Sequence, residues 1–239
     1  MKHFLLIHGS WHGAWCWYKV APRLEAAGHL VCAIDLPGRG RNPAHPLLVS
    51  LDRMVGSAAV QLPADRKTTI VVHSRYGIVA SRLAETFPER IERTIYLAAF
   101  MLPQGGTAAS YFRSDKWSSL APGVEVSRKA LWDRLRPEFY RDALYHDCSD
   151  DDNALARSML CREPLRPAVA RLRLTPDRYG RVPRAYIRLT EDRAVSPSLQ
   201  DRMLNETDVD RVESIEASHS AYFSRPEALT GAILKLAGN

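Results

Sequence analysis

The chain has 239 residues, of which 46% are hydrophobic and 25% charged, with a formal net charge of +6. That is enough for one large α/β domain with a sizeable core, and the balance is that of an ordinary globular protein. The excess charge is mostly arginine scattered among Asp and Glu, with no run of five like charges, so the clustered stripe of a nucleic-acid binder is missing. The opening "MKHFLLIHGSW" has an apolar run too short for a signal peptide or a membrane span. Cys16, Cys32, Cys148 and Cys161 form no C-x-x-C pair and share no metal-ligand spacing with a histidine. A cytoplasmic protein with free thiols, no metal, no membrane contact and a small-molecule substrate is expected, with a homodimer left open.

In chain order, "HFLLIH" (3–8) is short and apolar on both faces, which suits a buried parallel strand. An amphipathic helix is predicted over 15–29, stopping at Gly28. "LVCAID" (30–35) is the next strand, followed by the turn-rich "LPGRGRNP". A helix is predicted near 50–62, a strand over "TTIVVH" (68–73), a helix from 76 that ends before Pro88, and a strand over 91–100. The rhythm then breaks: 103–181 is rich in Trp, Tyr, Arg and Asp, with helical stretches and no strong strand. It resumes with a strand at 184–189, a helix at 196–206, a strand at 211–217 and a helix at 225–238. Alternation of this kind implies right-handed crossovers and a mostly parallel sheet of about six strands. Residues 1–102 and 182–239 are expected to form the core and 103–181 a helical cap, placed over the carboxyl ends of the strands, where open α/β sheets bind ligands.

Chemistry concentrates at "TTIVVHSRYGIVAS" (68–81). Ser74 sits between a buried strand and a helix, where a sharp turn exposes its hydroxyl beside the N–H groups of the helix start. The usual G-x-S-x-G positions hold Val72, His73, Ser74, Arg75 and Tyr76. A serine hydroxyl needs a base, and the base needs an orienting partner. After His146 in the insertion the only histidine is His219, in "EASHSAYFSRPEAL". For an oxyanion, the backbone N–H groups of Arg75 and of Ser10, in "HGSWHGAW", are the candidate donors. His8 and His12 are read as structural histidines hydrogen-bonded within that loop.

Together, "LIHGSWHGAWCWYKVAPRLEAAGH", "VCAIDLPGRG", the turn at Ser74, "YHDCSDDDNALARSMLCREPL", "AYIRLTEDRAVSP" and "EASHSAYFSRPEAL" resemble the α/β-hydrolase superfamily. More narrowly they resemble its branch of plant methylesterases, hydroxynitrile lyases and pyrethroid-type carboxylesterases. The resemblance implies an α/β-hydrolase fold, no metal or organic cofactor, and a Ser-Asp-His order in which Asp192 follows the strand "RAYIRL", with Glu191 as the fallback. It also implies an apolar pocket under a helical cap for a small ester. Trp11, Trp117, Trp132, Phe139 and Tyr140 are candidates to line it, or simply cap core.

Two departures qualify this reading. The lyases of the branch use a threonine in the first loop and a lysine after the catalytic histidine; here those positions hold Gly9 and Ser220, which leaves hydrolysis ahead. At the turn, Val72 and Tyr76 replace small residues, and Tyr76 must direct its ring away from the strand. Arg75 either faces the pocket and pairs with a substrate carboxylate or phenolate, or points to the cap and pairs with an acid of "HDCSDDD"; the second is preferred. Rivals to a serine esterase are a lyase, cyclase or cofactor-independent oxygenase using the His-Asp pair as base, and a ligand receptor.

Overall fold

The computed structural model describes residues 1–238. Six strands, β1 (His3–Ile7), β2 (Leu30–Ile34), β3 (Thr68–His73), β4 (Ile91–Leu97), β8 (Arg184–Leu189) and β9 (Arg211–Ile215), form one sheet in the order β2-β1-β3-β4-β8-β9. Every neighbouring pair is parallel. All six coincide with the segments expected from the sequence, several ending a residue or more early. β4, for instance, stops at Leu97, and the chain turns at Ala98 with φ 39°.

The two-residue period of a strand divides the core between the faces of this sheet. Leu5, Ile7, Ile70 and Val72 pack with the helices Leu51–Ala59 and Gly77–Thr86 on one side. Phe4, Leu6, Val71 and Ile95 pack with the helix Pro226–Ala237 on the other. Each such buried side chain contributes about 1.5–3 kcal/mol of transfer free energy. The helix after β3 ends at Thr86, before Pro88, as its sequence requires. The expected helix over 15–29 is shorter: a 3-10 turn, Ala14–Trp17, precedes the helix Ala21–Ala26.

Between β4 and β8 the chain forms short helices, the longest being Asp150–Met159, and also a small antiparallel sheet. Beside the helical stretches expected there, the insertion thus carries three strands of two to four residues. β5 (Val124–Ser127), β6 (Trp132–Leu135) and β7 (Glu163–Pro164) pair in that order, with Asp133 opposite Glu163. The strands are short, and the inward positions of β6 are Asp133 and Leu135, so a buried carboxylate interrupts the apolar alternation that would have marked a strand. Among the described residues no helix is long and apolar enough to cross a membrane. Cys16, Cys32, Cys148 and Cys161 are free thiols.

Candidate active site

β3 is buried along its whole length and delivers Ser74 at φ 58°, in the left-handed region that a non-glycine residue adopts only under constraint. The constraint comes from neighbours. The Ser74 carbonyl accepts the Phe100 N–H at 2.9 Å. A Cβ on Gly77 would stand 2.5 Å from the Phe100 carbonyl oxygen, and one on Gly9 would stand 2.8 Å from Ser74 Cβ. Close approach therefore depends on Gly77 and on Gly9 from the first loop, which is why Val72 and Tyr76 are tolerated at the positions usually kept small.

His219, in the loop after β9, places Nε2 2.9 Å from Ser74 Oγ and Nδ1 2.7 Å from Asp192 Oδ2. Asp192 is buried, and its Oδ1 accepts the N–H groups of Ala194 and Val195 at 2.7 and 2.9 Å. With Nδ1–H donating to that carboxylate, the Nε2 lone pair faces the serine hydroxyl, the arrangement a general base requires. Glu191 is exposed and offers only backbone groups, its carbonyl to His146 and its N–H to Ala217. Of the two acids in the loop, the structure brings Asp192 to the histidine.

The first loop is held by its own histidines. The Gly9 carbonyl accepts His8 Nδ1–H at 2.8 Å and the His12 N–H at 3.4 Å. Because the peptide is trans, the Ser10 N–H points the opposite way, and among the described residues no acceptor pairs with it. The next peptide is held at both ends. Its Ser10 carbonyl accepts His12 Nδ1–H at 2.6 Å, and its Trp11 N–H donates to Glu163 Oε2 at 2.8 Å. The Arg75 N–H lies in the first turn after the serine, where helix donors have no intrahelical partner.

Three further buried histidines lie in the first loop and at the end of β3, and burial disfavours their charged forms. Burial pushes His12 down to about 3 and His8 well below the usual histidine range. His73 is lowered by burial and by its proximity to His219. Its Nε2–H donates to the His219 carbonyl at 3.0 Å, tying the strand before the serine to the histidine loop. Tyr145 and Tyr222 place their hydroxyls 2.5 and 3.0 Å from His12 Nε2.

A model of the alpha/beta hydrolase family matches residues 4–232. The chain belongs to this family. Methylesterase 7 of Arabidopsis thaliana is 34% identical over 256 residues, covering 99% of this hydrolase and 96% of the relative. Among solved structures, a pyrethroid hydrolase from Sphingobium faniae JZ-2 superposes with a TM-score of 0.89 at 26% identity, covering 99% of this chain and 97% of that one. Tomato methylketone synthase I, solved with 2-tridecanone, superposes with a TM-score of 0.84 at 29% identity and the same coverage.

The remaining site candidates of this hydrolase separate. Arg75 does turn to the cap, but its partner is Asp133, with Nη1 2.9 Å from Oδ2. Three of the four acids of "HDCSDDD" are engaged elsewhere and the fourth, Asp151, is exposed: Asp147 accepts the Ser218 N–H, Asp150 meets Arg141, and Asp152 meets Lys19 and Tyr18. Trp11 is buried, with φ 61°, and its Nε1–H donates to Asp133 at 2.7 Å. Tyr76 does direct its ring away from the strand, into a fully buried position where its hydroxyl donates to Glu163 and accepts from Arg39 at 2.9 Å.

Trp117 is 78% exposed and lines a surface hollow with Ser198 and Arg202, not the cavity beside Arg75. Trp132 is half-buried and stacks with Arg162 and Arg134. Phe139 and Tyr140 are partly buried and pack against the core cluster that includes the cap residues Leu135, Leu144 and Tyr145. None of these last three lines the cavity beside Arg75, a space of about 470 Å³ walled mainly by Ala108, Phe112, Val124, Leu131 and Leu165. A larger hollow of about 750 Å³, bounded by Gln104, Arg184 and Asp208, contains no member of the Ser74 site.

Sequence reading missed Asp133, Glu163 and Arg39. Each looks like a solvated surface charge, and no local pattern shows that β6, β7 and the loop after β2 bury them together.

Proposed function

We propose that this protein is a carboxylic ester hydrolase that cleaves a small, largely apolar ester through Ser74, His219 and Asp192. The observation that carries the reading is the single imidazole lying 2.9 Å from the serine hydroxyl and 2.7 Å from a buried carboxylate. His219 takes the Ser74 proton as Oγ attacks the ester carbonyl. Asp192 keeps the imidazole in the reactive tautomer and stabilises the imidazolium that forms. The Ser10 and Arg75 N–H groups receive the oxyanion. The imidazolium then protonates the leaving alcohol, and water, deprotonated by His219, releases the acid. The similarity to a methylesterase and to a pyrethroid hydrolase supports ester cleavage.

The lyase reading loses further ground on steric grounds. A threonine at Gly9 would press its Cβ to 2.7 Å from His73 Nδ1 and 2.8 Å from Ser74 Cβ. A second reading, favoured by the likeness to methylketone synthase I, is non-hydrolytic chemistry with His219 as base and Ser74 dispensable.

The test is turnover of p-nitrophenyl and methyl esters, short to medium acyl and aromatic, by the native chain and by Ser74→Ala. A serine hydrolase falls to background on substitution. Turnover surviving in Ser74→Ala, or no turnover and no fluorophosphonate labelling of Ser74, overturns the proposal.

A further inference from the structure

Two guanidinium groups are buried side by side where the core meets the cap, and they are satisfied very differently. Arg39 is met by both oxygens of Glu163, at 2.9 and 2.8 Å, and also by the Tyr76 hydroxyl and the His12 carbonyl, and only its Nε lacks a partner. That is the bidentate pairing a structural buried arginine needs. Arg75 is only 8% exposed, yet among the described residues it has a single acceptor, Asp133 Oδ2. The other oxygen of Asp133 is taken by Trp11 Nε1–H. A guanidinium carries five N–H donors, so most of those of Arg75 remain free.

These donors are not sealed in packed protein. Arg75 forms part of the wall of the 470 Å³ cavity, whose lining is otherwise mostly aliphatic, with one aromatic ring from Phe112. Its charged lining is four arginines (Arg75, Arg113, Arg128 and Arg166) against the one aspartate. Arg113 and Arg128 are exposed at the edge, and no carboxylate is paired with either among the described residues. Apolar walls lower the local dielectric and strengthen any charge pair formed inside. Ser74 and His219 do not line this space, which meets their site through Arg75 alone. An apolar space with a buried cation that has one acceptor fits a ligand that is apolar along its length and anionic at one point.

We propose that this cavity selects esters with an apolar body that also carry an ionised carboxylate, and that the carboxylate pairs with the Arg75 guanidinium. The inference deepens the ester hydrolase reading and rests on it for turnover, whereas the binding preference stands apart from catalysis.

The probes are the monomethyl and dimethyl esters of suberic acid, one anionic and one neutral at the same chain length. Binding is measured by calorimetry in the Ser74→Ala background, where neither probe is consumed. The monomethyl ester is expected to bind about tenfold or more tightly, the increment of a hydrogen-bonded charge pair. Arg75→Met combined with Asp133→Asn, which leaves no carboxylate unpaired, is expected to abolish the preference. Arg75→Lys is expected to keep part of it. Equal binding of the two probes overturns the proposal, as does a preference that survives in the double variant, which would move the anion to Arg113 or Arg128.

Turnover by the native enzyme separates the two readings. If neutral esters are hydrolysed and the monomethyl ester is not preferred, the selectivity falls and the hydrolase stands. If neither ester is hydrolysed but the binding preference is present, the hydrolase reading falls and the carboxylate site stands.

Discussion

Asp133 and Glu163 face each other across the β6–β7 ladder, and each carboxylate reaches an arginine of the hydrolase core. Glu163 holds Arg39 and Asp133 holds Arg75, while the backbone of Trp11 donates to the first and its indole to the second. The cap hairpin is thus bonded to the loop that carries Ser10 and to the residue after Ser74. Removing one partner of a buried ion pair leaves an uncompensated charge and costs roughly 3–5 kcal/mol. Glu163→Gln is expected to lose stability on that scale in urea unfolding. Tyr76→Phe, which removes one hydroxyl, is expected to cost about 1–2 kcal/mol.

Glu163 also fixes the peptide that follows Ser10, so its loss should be felt in catalysis as well as folding. With the Trp11 N–H released, the Ser10 N–H is less well aimed at an oxyanion. The expected outcome is a fall in kcat of about tenfold or more with KM little changed, since a misplaced oxyanion donor weakens the transition state rather than the ground state. Steady-state kinetics on the folded fraction of Glu163→Gln checks this. A rise in KM with kcat preserved would contradict it.

The proposed acid, Asp192, can be tested against its neighbour in sequence. Asp192→Asn is expected to lower kcat by about 10⁴-fold, because the imidazole then rests in the wrong tautomer. Glu191→Gln, at an exposed carboxylate, is expected to leave kcat within a factor of about two. Comparable losses in both variants would reopen the assignment.

Two glycines should respond oppositely to alanine. At Gly77 the new Cβ would meet the backbone of Phe100 at 2.5 Å, which cannot yield as a flexible side chain would. A loss of about 3 kcal/mol or more is expected in thermal unfolding, at the upper end of overpacking costs, with the elbow displaced and activity reduced. At Gly28, where φ is 86° and nothing lies within 4 Å, only backbone strain of about 1–2 kcal/mol is expected, and activity should be intact.

Acid should destabilise the fold through its buried histidines. His8, His12 and His73 are all lowered, first by burial, and His12 lies at about 3. Each binds its proton more readily in the unfolded chain, near the ordinary value of about 6.5. Their stability contribution is therefore complete above that value and is lost as pH falls toward about 3 for His12 and through the lower range for the other two. One unit below 6.5, each costs on the order of 1 kcal/mol. Urea midpoints at pH 7.5, 6.5 and 5.5 should decline in sequence, and the decline should shrink in a His12→Gln variant. A midpoint unchanged between 7.5 and 5.5 would refute the neutral-histidine cluster.

Six parallel strands, Ser74 at the end of β3 and His219 after β9 could be read from the residues because their causes are local, whereas an acid after β8 was expected only from the likeness to the α/β-hydrolases. Apolar runs bounded by turn residues make buried strands whatever lies beside them, and residues that follow the carboxyl ends of parallel strands gather at one edge of the sheet. The hairpin in the cap and the network under it could not be read this way. Asp133, Glu163, Arg39 and Tyr76 are distant in sequence, and each alone looks like a surface group or an intruder at a tight turn. Only packing of the cap against the first loop buries them together, and burial turns four side chains that would each be solvated alone into one paired cluster. The same packing decided where Arg75 points, since its one acceptor comes from a strand that the alternation of apolar residues did not reveal.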